Sequence, residues 1–528
     1  MSTNADASVA RNAASVDTAA MSRSLPLGRV LMVQGTSSHA GKSTLVAAFC
    51  RLFANAGYRV APFKAQNMSN NAAVTDDGGE VGRAQAMQAT AARVAVTVDM
   101  NPVLLKPQSD RTSQIVVLGR VYRTADAVGF YGLKHELWPV VAGALDRLRA
   151  AYDVVVIEGA GSPAEINLAQ YDIVNMRVAA HADAPVIVVG DIERGGVFAS
   201  LYGTVMLLPD DDRARIRGFI INKFRGDPSL LDPGFAMLER RTGVPTLGVL
   251  PYLDLSRLPA EDGVEWGAGN QNAHDQTLID VAVMRLPRVA NLDEFQPLAA
   301  EPGVHVRFIG DAAELGAPDL IIIPGTKSTL ADLAWLREQG LDAAIAARAA
   351  QRTPVIGICG GFQMLGTRIV DEQGAEAQGD MPGLGLLPVT TVFSSDKVTR
   401  RVTAHVARPG PLAEIALDGY EIHMGRTESI PGALLGDSPF VVGDRPEGVC
   451  SADGLVAGTY IHGLLENPPL LHALVVALAK RKGVHLPDRV QPATIDAELD
   501  RLASLVRENV DMQAIAEMTG LTAIGRTQ

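Results

Sequence analysis

Short runs of β-branched and aliphatic residues recur along the chain at residues 30–34, 153–157, 185–189 and 216–222, and again at 278–285, 319–323 and 354–358. Most of them lead into a glycine-containing turn and then a stretch with helical spacing. Near-continuous apolar runs of this length fit parallel strands buried on both faces, because crossover helices cover such a sheet on either side. The pattern predicts α/β architecture twice over. Between the two sets, residues 265–276 are polar, rich in Gly, Asn and Gln and without periodicity, and read as a linker. A disordered tail is expected over 1–28, a first domain over 29–264 and a second over 277–528. The second should hold further strands near 385–393, 402–407, 419–424 and 454–461 and end in an amphipathic helical segment over 492–519.

A chain of 528 residues has room for two hydrophobic cores, and 47% apolar with 20% charged residues is ordinary globular composition. The net charge of −12, with no basic run, argues against a nucleic-acid partner. The longest apolar stretch, 470–479, falls far short of the roughly 20 residues of a spanning helix, so no membrane partner is expected. The first 28 residues lack the apolar core of a secretory signal, and their acidic residues do not suit a transit peptide. Three cysteines, Cys50, Cys359 and Cys450, make neither a disulfide framework nor a metal-ligand spacing, which points to a reducing, cytoplasmic compartment. The oligomeric state, a homo-oligomer included, is left open.

The first strand runs directly into Gly35-Thr36-Ser-Ser-His-Ala-Gly41-Lys42-Ser43-Thr44, and the residues after it have helical spacing. A strand, a glycine-bounded loop and a helix N-terminus together aim backbone N–H groups at phosphate, with Lys42 for the β/γ oxygens and Ser43 for Mg²⁺. Five residues separate Gly35 from Gly41, one more than in the common phosphate loop. That longer form resembles dethiobiotin synthetase and related amide-forming enzymes. Glu158, at the end of the strand over 153–157, is a second Mg²⁺ candidate; a solvated turn carboxylate is the competing reading. Asp191-Ile-Glu193-Arg194-Gly-Gly196 ends another strand and offers charge to phosphate or substrate, or is a plain loop. Asn222 and Lys223 end a further one, where an amide can pair with both edges of adenine or simply hold a turn.

In the second half, the strand over 354–358 leads into Gly357-Ile-Cys359-Gly360-Gly361-Phe-Gln363. A cysteine at a sharp strand-to-helix turn is presented as an exposed nucleophile, and the next N–H is an oxyanion donor. Cys50 and Cys450 read instead as packing residues. The turn at Gly325, 34 residues before Cys359, suits the other oxyanion donor, and His462, 103 residues after it at a strand end, suits the general base. This order resembles class I glutamine amidotransferases, which hydrolyse glutamine through a cysteine thioester and pass ammonia to a partner site. The resemblance implies that Gln363, Tyr420 and His423 contact glutamine or line the interface. Many members place a Glu two residues after the His; here Leu464 stands there, so the third triad carboxylate is missing from its usual place.

Further blocks, Lys64-Ala-Gln-Asn67-Met-Ser-Asn70-Asn71, Gly82-Arg83-Ala-Gln85, Asn101-Pro-Val-Leu-Leu-Lys106 and Tyr420-Glu-Ile-His423-Met-Gly425, follow in an order that resembles the cobyrinate and cobyrate amidases over roughly residues 28 to 480. The resemblance implies a phosphate-loop ligase domain, similar to dethiobiotin synthetase, joined to a class I glutamine amidotransferase domain. ATP and Mg²⁺ would serve the first and L-glutamine the second. It implies a corrinoid substrate, adenosylcobyrinic acid a,c-diamide, amidated at its b, d, e and g carboxylates. The nearest rival is amidation at a and c by a cobyrinic acid a,c-diamide synthase, and a more distant one is a nucleotide-dependent partitioning switch. For a polyanionic substrate, Lys64, Asn67, Arg83 and Arg194 are the candidate contacts, with Lys106, Arg111, Arg120 and Arg123 as further cations; each could equally be a solvated surface charge.

Overall fold

Strand Arg29–Gly35 lies inside a six-stranded sheet, flanked by Val154–Glu158 and Val60–Phe63 on one side and by Val186–Asp191, Ile216–Phe224 and Thr246–Pro251 on the other. All neighbours are parallel. The computed structural model describes residues 27–253, 258, 278–376, 378–407, 412–413, 415–487 and 494–522. The expected linker over 265–276 and nearly all of the expected tail lie outside these residues. The first sheet's strands are buried on both faces, one against Phe130, Leu137 and Val141 of helix Ala127–Ala151, the other against Leu45, Phe49 and Phe53 of helix Lys42–Asn55. Parallel strands need such cover on both sides, which explains their continuous apolar runs.

The second half repeats the plan. Val304–Ile309, Ile279–Met284, Leu320–Ile323, Val355–Ile358 and Val456–Thr459 form a parallel sheet, closed by antiparallel Val449–Cys450. Beside it a long hairpin pairs Val389–Val406 with Ala416–Ser429, and the short strand Ile461–His462 adds to its edge, with His462 opposite Tyr420.

The C-terminal helical segment does not stay with the second half, as expected from its position in the chain. Helix Ile495–Asn509 lays Leu499, Leu502, Ala503 and Val506 on helix Lys42–Asn55 of the first half. Their i, i+3, i+4, i+7 spacing makes one apolar stripe. Thr494 caps the helix by accepting from Ala497 N at 3.2 Å, and Asp496 reaches the fully buried Arg51 at 2.5 Å. The chain then touches the edge strand, with Asp511 N donating to Leu247 O at 2.8 Å. A sequence read in order assigns a segment to its neighbours in the chain; here packing overrides that.

A hairpin of the first half, Ala72–Val74 paired with Glu80–Gly82, leans on the second. Glu80, 1% exposed, pairs with Lys106 of its own half and with Lys397 of the other. Ala72 and Val74 pack on Tyr420 and Ile422.

Candidate active sites

The loop after strand Arg29–Gly35 enters helix Lys42–Asn55 through Gly41, at φ 101°. A Cβ at Gly41 would also stand 2.0 Å from Asn222 Nδ2, so only glycine serves here. Lys42 Nζ donates to Ser37 O (2.8 Å) and Gly161 O (3.1 Å), which holds the ammonium within the loop. Ser43 Oγ donates to Glu158 Oε1 at 2.8 Å; Lys64 Nζ pairs with the same oxygen at 2.8 Å, and Gln88 Nε2 donates to Oε2 at 2.5 Å. Glu158 is buried, so its charge is balanced by Lys64 rather than by water. A cleft of about 580 Å³ opens over Gly41 to Thr44, with Leu502 and Val506 of the C-terminal helix as part of its wall. Backbone N–H groups at a helix N-terminus, a lysine and an apolar wall suit a nucleoside triphosphate.

Cys359 ends strand Val355–Ile358 and caps helix Gly360–Leu365 at φ 49°, ψ −106°, a strained conformation for a residue with a side chain. Its thiol is buried, 3.5 Å from Ile422 O. The turn after strand Leu320–Ile323 closes on both reactive groups: a Cβ at Gly325 would lie 2.6 Å from His462 Cε1 and 3.7 Å from Cys359 Cβ. Gly360 abuts the same turn, where an added Cβ would lie 3.1 Å from Thr326 N. Cys359, His462, Gly325 and Gly360 are thus brought together from separate strand ends.

The absent carboxylate is replaced from an unexpected quarter. Glu294, in the short helical turn Leu292–Phe295, places Oε1 3.4 Å from His462 Nδ1, and its Oε2 accepts from Gly463 N at 3.2 Å. Asn291 Nδ2 lies 3.4 Å from the same ring nitrogen. Burial on its own pushes the imidazole's pKa down, but Glu294 and Cys359 outweigh it and raise it to about 10. An imidazolium beside a cysteine at a helix N-terminus is the charge arrangement that a thiolate nucleophile needs.

Residues 31–264 match the family described as the CobQ/CobB/MinD/ParA nucleotide binding domain, and residues 280–470 match the CobB/CobQ-like glutamine amidotransferase domain. Among similar proteins, the cobyric acid synthase of Sorangium cellulosum is 51% identical over 517 residues, covering 93% of this chain and 98% of that one. Those of Dehalococcoides mccartyi strain BAV1 and Yersinia enterocolitica are each 48% identical, covering 93% and 92% of this chain and 98% and 97% of their own. The chain belongs to the cobyric acid synthase family. It is a glutamine-hydrolysing carbon–nitrogen ligase of cobalamin biosynthesis that uses ATP, and the reading as a cobyrinic acid a,c-diamide synthase is not favoured. Among the described residues, no helix is long and apolar enough to cross a membrane.

Lys64, Asn67, Asn222 and Lys223 all line the nucleotide cleft, each also engaged by neighbouring groups. The Nδ2 of Asn222 donates to Ala40 O at 3.0 Å and its Oδ1 accepts from Lys223 N at 2.9 Å, bonds that brace the phosphate loop. Lys223 does likewise, through His39 O at 2.9 Å and Asp191 at 2.8 Å, although both residues line the cleft. Thr36 is outside the lining; its N–H joins the loop base to Val189 O at 2.9 Å. Lys64 is engaged by Glu158, and Asn67 lines the cleft with its amide donating to Gln85 at 3.1 Å. Arg194 is exposed and outside that lining, while neighbouring Glu193 is part of it.

Arg83 is the largest departure from expectation. Instead of facing substrate it is held between the halves by Asp293 at 2.7 Å and by Glu466, and lies over the Tyr420 ring. Tyr420 in turn stacks on His462, with centroids 5.4 Å apart, and is outside the thiol pocket's lining; it lies at the contact between the halves, one of the two places expected for it. Gln363 and His423 do line that pocket. Gln363 accepts from Thr329 Oγ1 at 2.9 Å, and His423 stacks on Tyr460 at 3.9 Å. Cys50 and Cys450 are buried, and burial pushes the Cys50 thiol far up, in keeping with packing roles.

Proposed function

We propose that the chain converts adenosylcobyrinic acid a,c-diamide to adenosylcobyric acid by amidating its b, d, e and g carboxylates, with glutamine as nitrogen donor and ATP as activator. The observation that carries this reading is the presence of two complete centres, a phosphate loop and a cysteine–histidine pair, in one chain of this family.

At the second centre the Cys359 sulfur attacks the glutamine carboxamide carbon. The oxyanion forms against the N–H groups of Gly360 and of the turn at Gly325, which are fixed before the reaction begins. His462 gives its proton to the departing nitrogen, which leaves as ammonia, and a thioester remains. Water, deprotonated by the now neutral His462, attacks the thioester carbon, the C–S bond breaks to release glutamate, and the thiolate beside the imidazolium is restored. Glu294 holds the imidazole's orientation and its charge, as the third carboxylate does in other triads. Gln363 and His423 shape the pocket around the bound amino acid.

At the first centre an acceptor carboxylate attacks the γ-phosphorus of ATP. ADP leaves, an acyl phosphate forms, and ammonia displaces phosphate to give the amide. Lys42 and the N–H groups from Gly41 to Thr44 hold the phosphates, while Asn222 and Lys223 keep that loop in shape. Ser43 and Glu158, in contact through a hydroxyl and a carboxylate oxygen that Lys64 also engages, are the hard-oxygen groups that would hold Mg²⁺. When bound there, Mg²⁺ supplies neutralisation of charge on the β- and γ-phosphates. Among the described residues no cluster of three or more His, Cys, Asp or Glu suggests another metal site.

A second cleft of about 520 Å³ shares Ala160 with the nucleotide cleft and is lined by Lys134, Arg177, Glu165 and the exposed Ile166. With Asp172 and Asp212 also in the lining, carboxylates outnumber the two cations, so this cleft suits the amide-bearing and apolar parts of a corrinoid rather than its carboxylates. The whole reading is tested with Cys359→Ala: amidation driven by glutamine should be lost, at least about a hundredfold, while amidation driven by ammonium salts and ATP persists. Glutamine-driven amidation at the wild-type rate would contradict it.

A further inference from the structure

The motif residues Asn71 and Arg83 take no part in the nucleotide cleft, although both belong to the first half. They stand at the two ends of the hairpin Ala72–Val74/Glu80–Gly82 and are tied to each other, Arg83 N donating to Asn71 O at 3.1 Å. Both grip one turn of the other half. Asn71 Oδ1 accepts from Asn291 N at 2.7 Å, and Asn291 Oδ1 accepts from Ala72 N at 2.9 Å, a reciprocal pair in which every partner is buried. Arg83 Nε donates to Asp293 at 2.7 Å. The gripped turn carries Asn291 and Glu294, the two side chains that meet His462 Nδ1.

Asn291 is also held at φ 55°, a left-handed conformation that an asparagine tolerates but that needs fixed partners to persist. The groups facing His462 come from every side: Glu294 and Asn291 from this turn, Cys359 from its elbow and Tyr420 from the hairpin strand behind, with Arg83 and Glu466 beyond Tyr420.

We propose that Asn71 is a positioning residue for the glutaminase: from the ligase half it fixes Asn291, and through that turn Glu294, against His462. The glutaminase centre is then complete only when the ligase half is docked on it. The inference rests on the assignment of Cys359 and His462 to glutamine hydrolysis.

The test uses the full chain with Asn71→Ala and, as a second variant, Asn291→Gly, which keeps the left-handed backbone while deleting the amide. In each, kcat for glutamine hydrolysis should fall about tenfold, the scale of one lost hydrogen bond to a buried group. KM for glutamine and the ammonium-driven amidation rate should stay within about twofold, well inside that scale. The alkaline limb of the hydrolysis profile should move to lower pH, since a loosely held Glu294 no longer supports the imidazolium. A parallel fall in ammonium-driven amidation, or an unmoved kcat or alkaline limb in Asn71→Ala, overturns the proposal. Hydrolysis persisting in Cys359→Ala would overturn the glutaminase assignment itself.

Discussion

At the scale of single residues, the decisive group is Glu294. A carboxylate 3.4 Å from His462 Nδ1 sustains an imidazolium that burial alone would discharge. Replacing it with Gln removes the charge and keeps the shape. His462 should then lose its proton at lower pH than the wild-type value of about 10, so the alkaline limb of glutamine hydrolysis moves towards neutrality and kcat falls about 10²-fold; an unchanged limb in the pH profile would mean that Glu294 does not act on His462. The residue was not legible in the sequence because it is separated from His462 by 168 positions and lies in no motif. Cys359 and His462 were legible because glycine turns at strand ends announce themselves locally. Arg83 was found as a motif residue but given the wrong neighbours, since a motif does not say which surface a side chain enters, whereas Tyr420 does line the interface, one of the two places expected for it.

At the scale of elements, the parallel strands of both halves were readable because burial on two faces leaves uninterrupted apolar runs. The phosphate loop was readable for the same reason as the cysteine elbow. Helix Ile495–Asn509 was readable as an amphipathic helix but not as part of the first half, because its partner, helix Lys42–Asn55, is more than 400 residues away in the chain. Leu499 is wholly buried in that contact. Leu499→Ala should cost about 2–5 kcal/mol and, because Leu502 and Val506 of the same helix line the nucleotide cleft, raise KM for ATP. The urea midpoint and ATP kinetics measure both. A midpoint and a KM equal to wild type would show that the helix is not integral to the ligase half.

At the scale of the whole molecule, a net charge of −12 says little about a site for anionic ligands, because the relevant cations are local and mostly paired: Lys64 with Glu158, Lys106 and Lys397 with Glu80, Arg83 with Asp293. Three of these pairs lie at or across the contact between halves, beside the apolar patch where Ala72 and Val74 meet Tyr420 and Ile422, and Lys106 and Lys397 also line the thiol pocket. One chain therefore carries both the source of ammonia and its consumer. The most direct test is mass spectrometry of the corrinoid formed from adenosylcobyrinic acid a,c-diamide, ATP and glutamine labelled with ¹⁵N in its side-chain amide. Labelled amides at b, d, e and g with the wild-type chain, and none with Cys359→Ala, are the predicted result; an unamidated corrinoid, or label incorporated by Cys359→Ala, would contradict it.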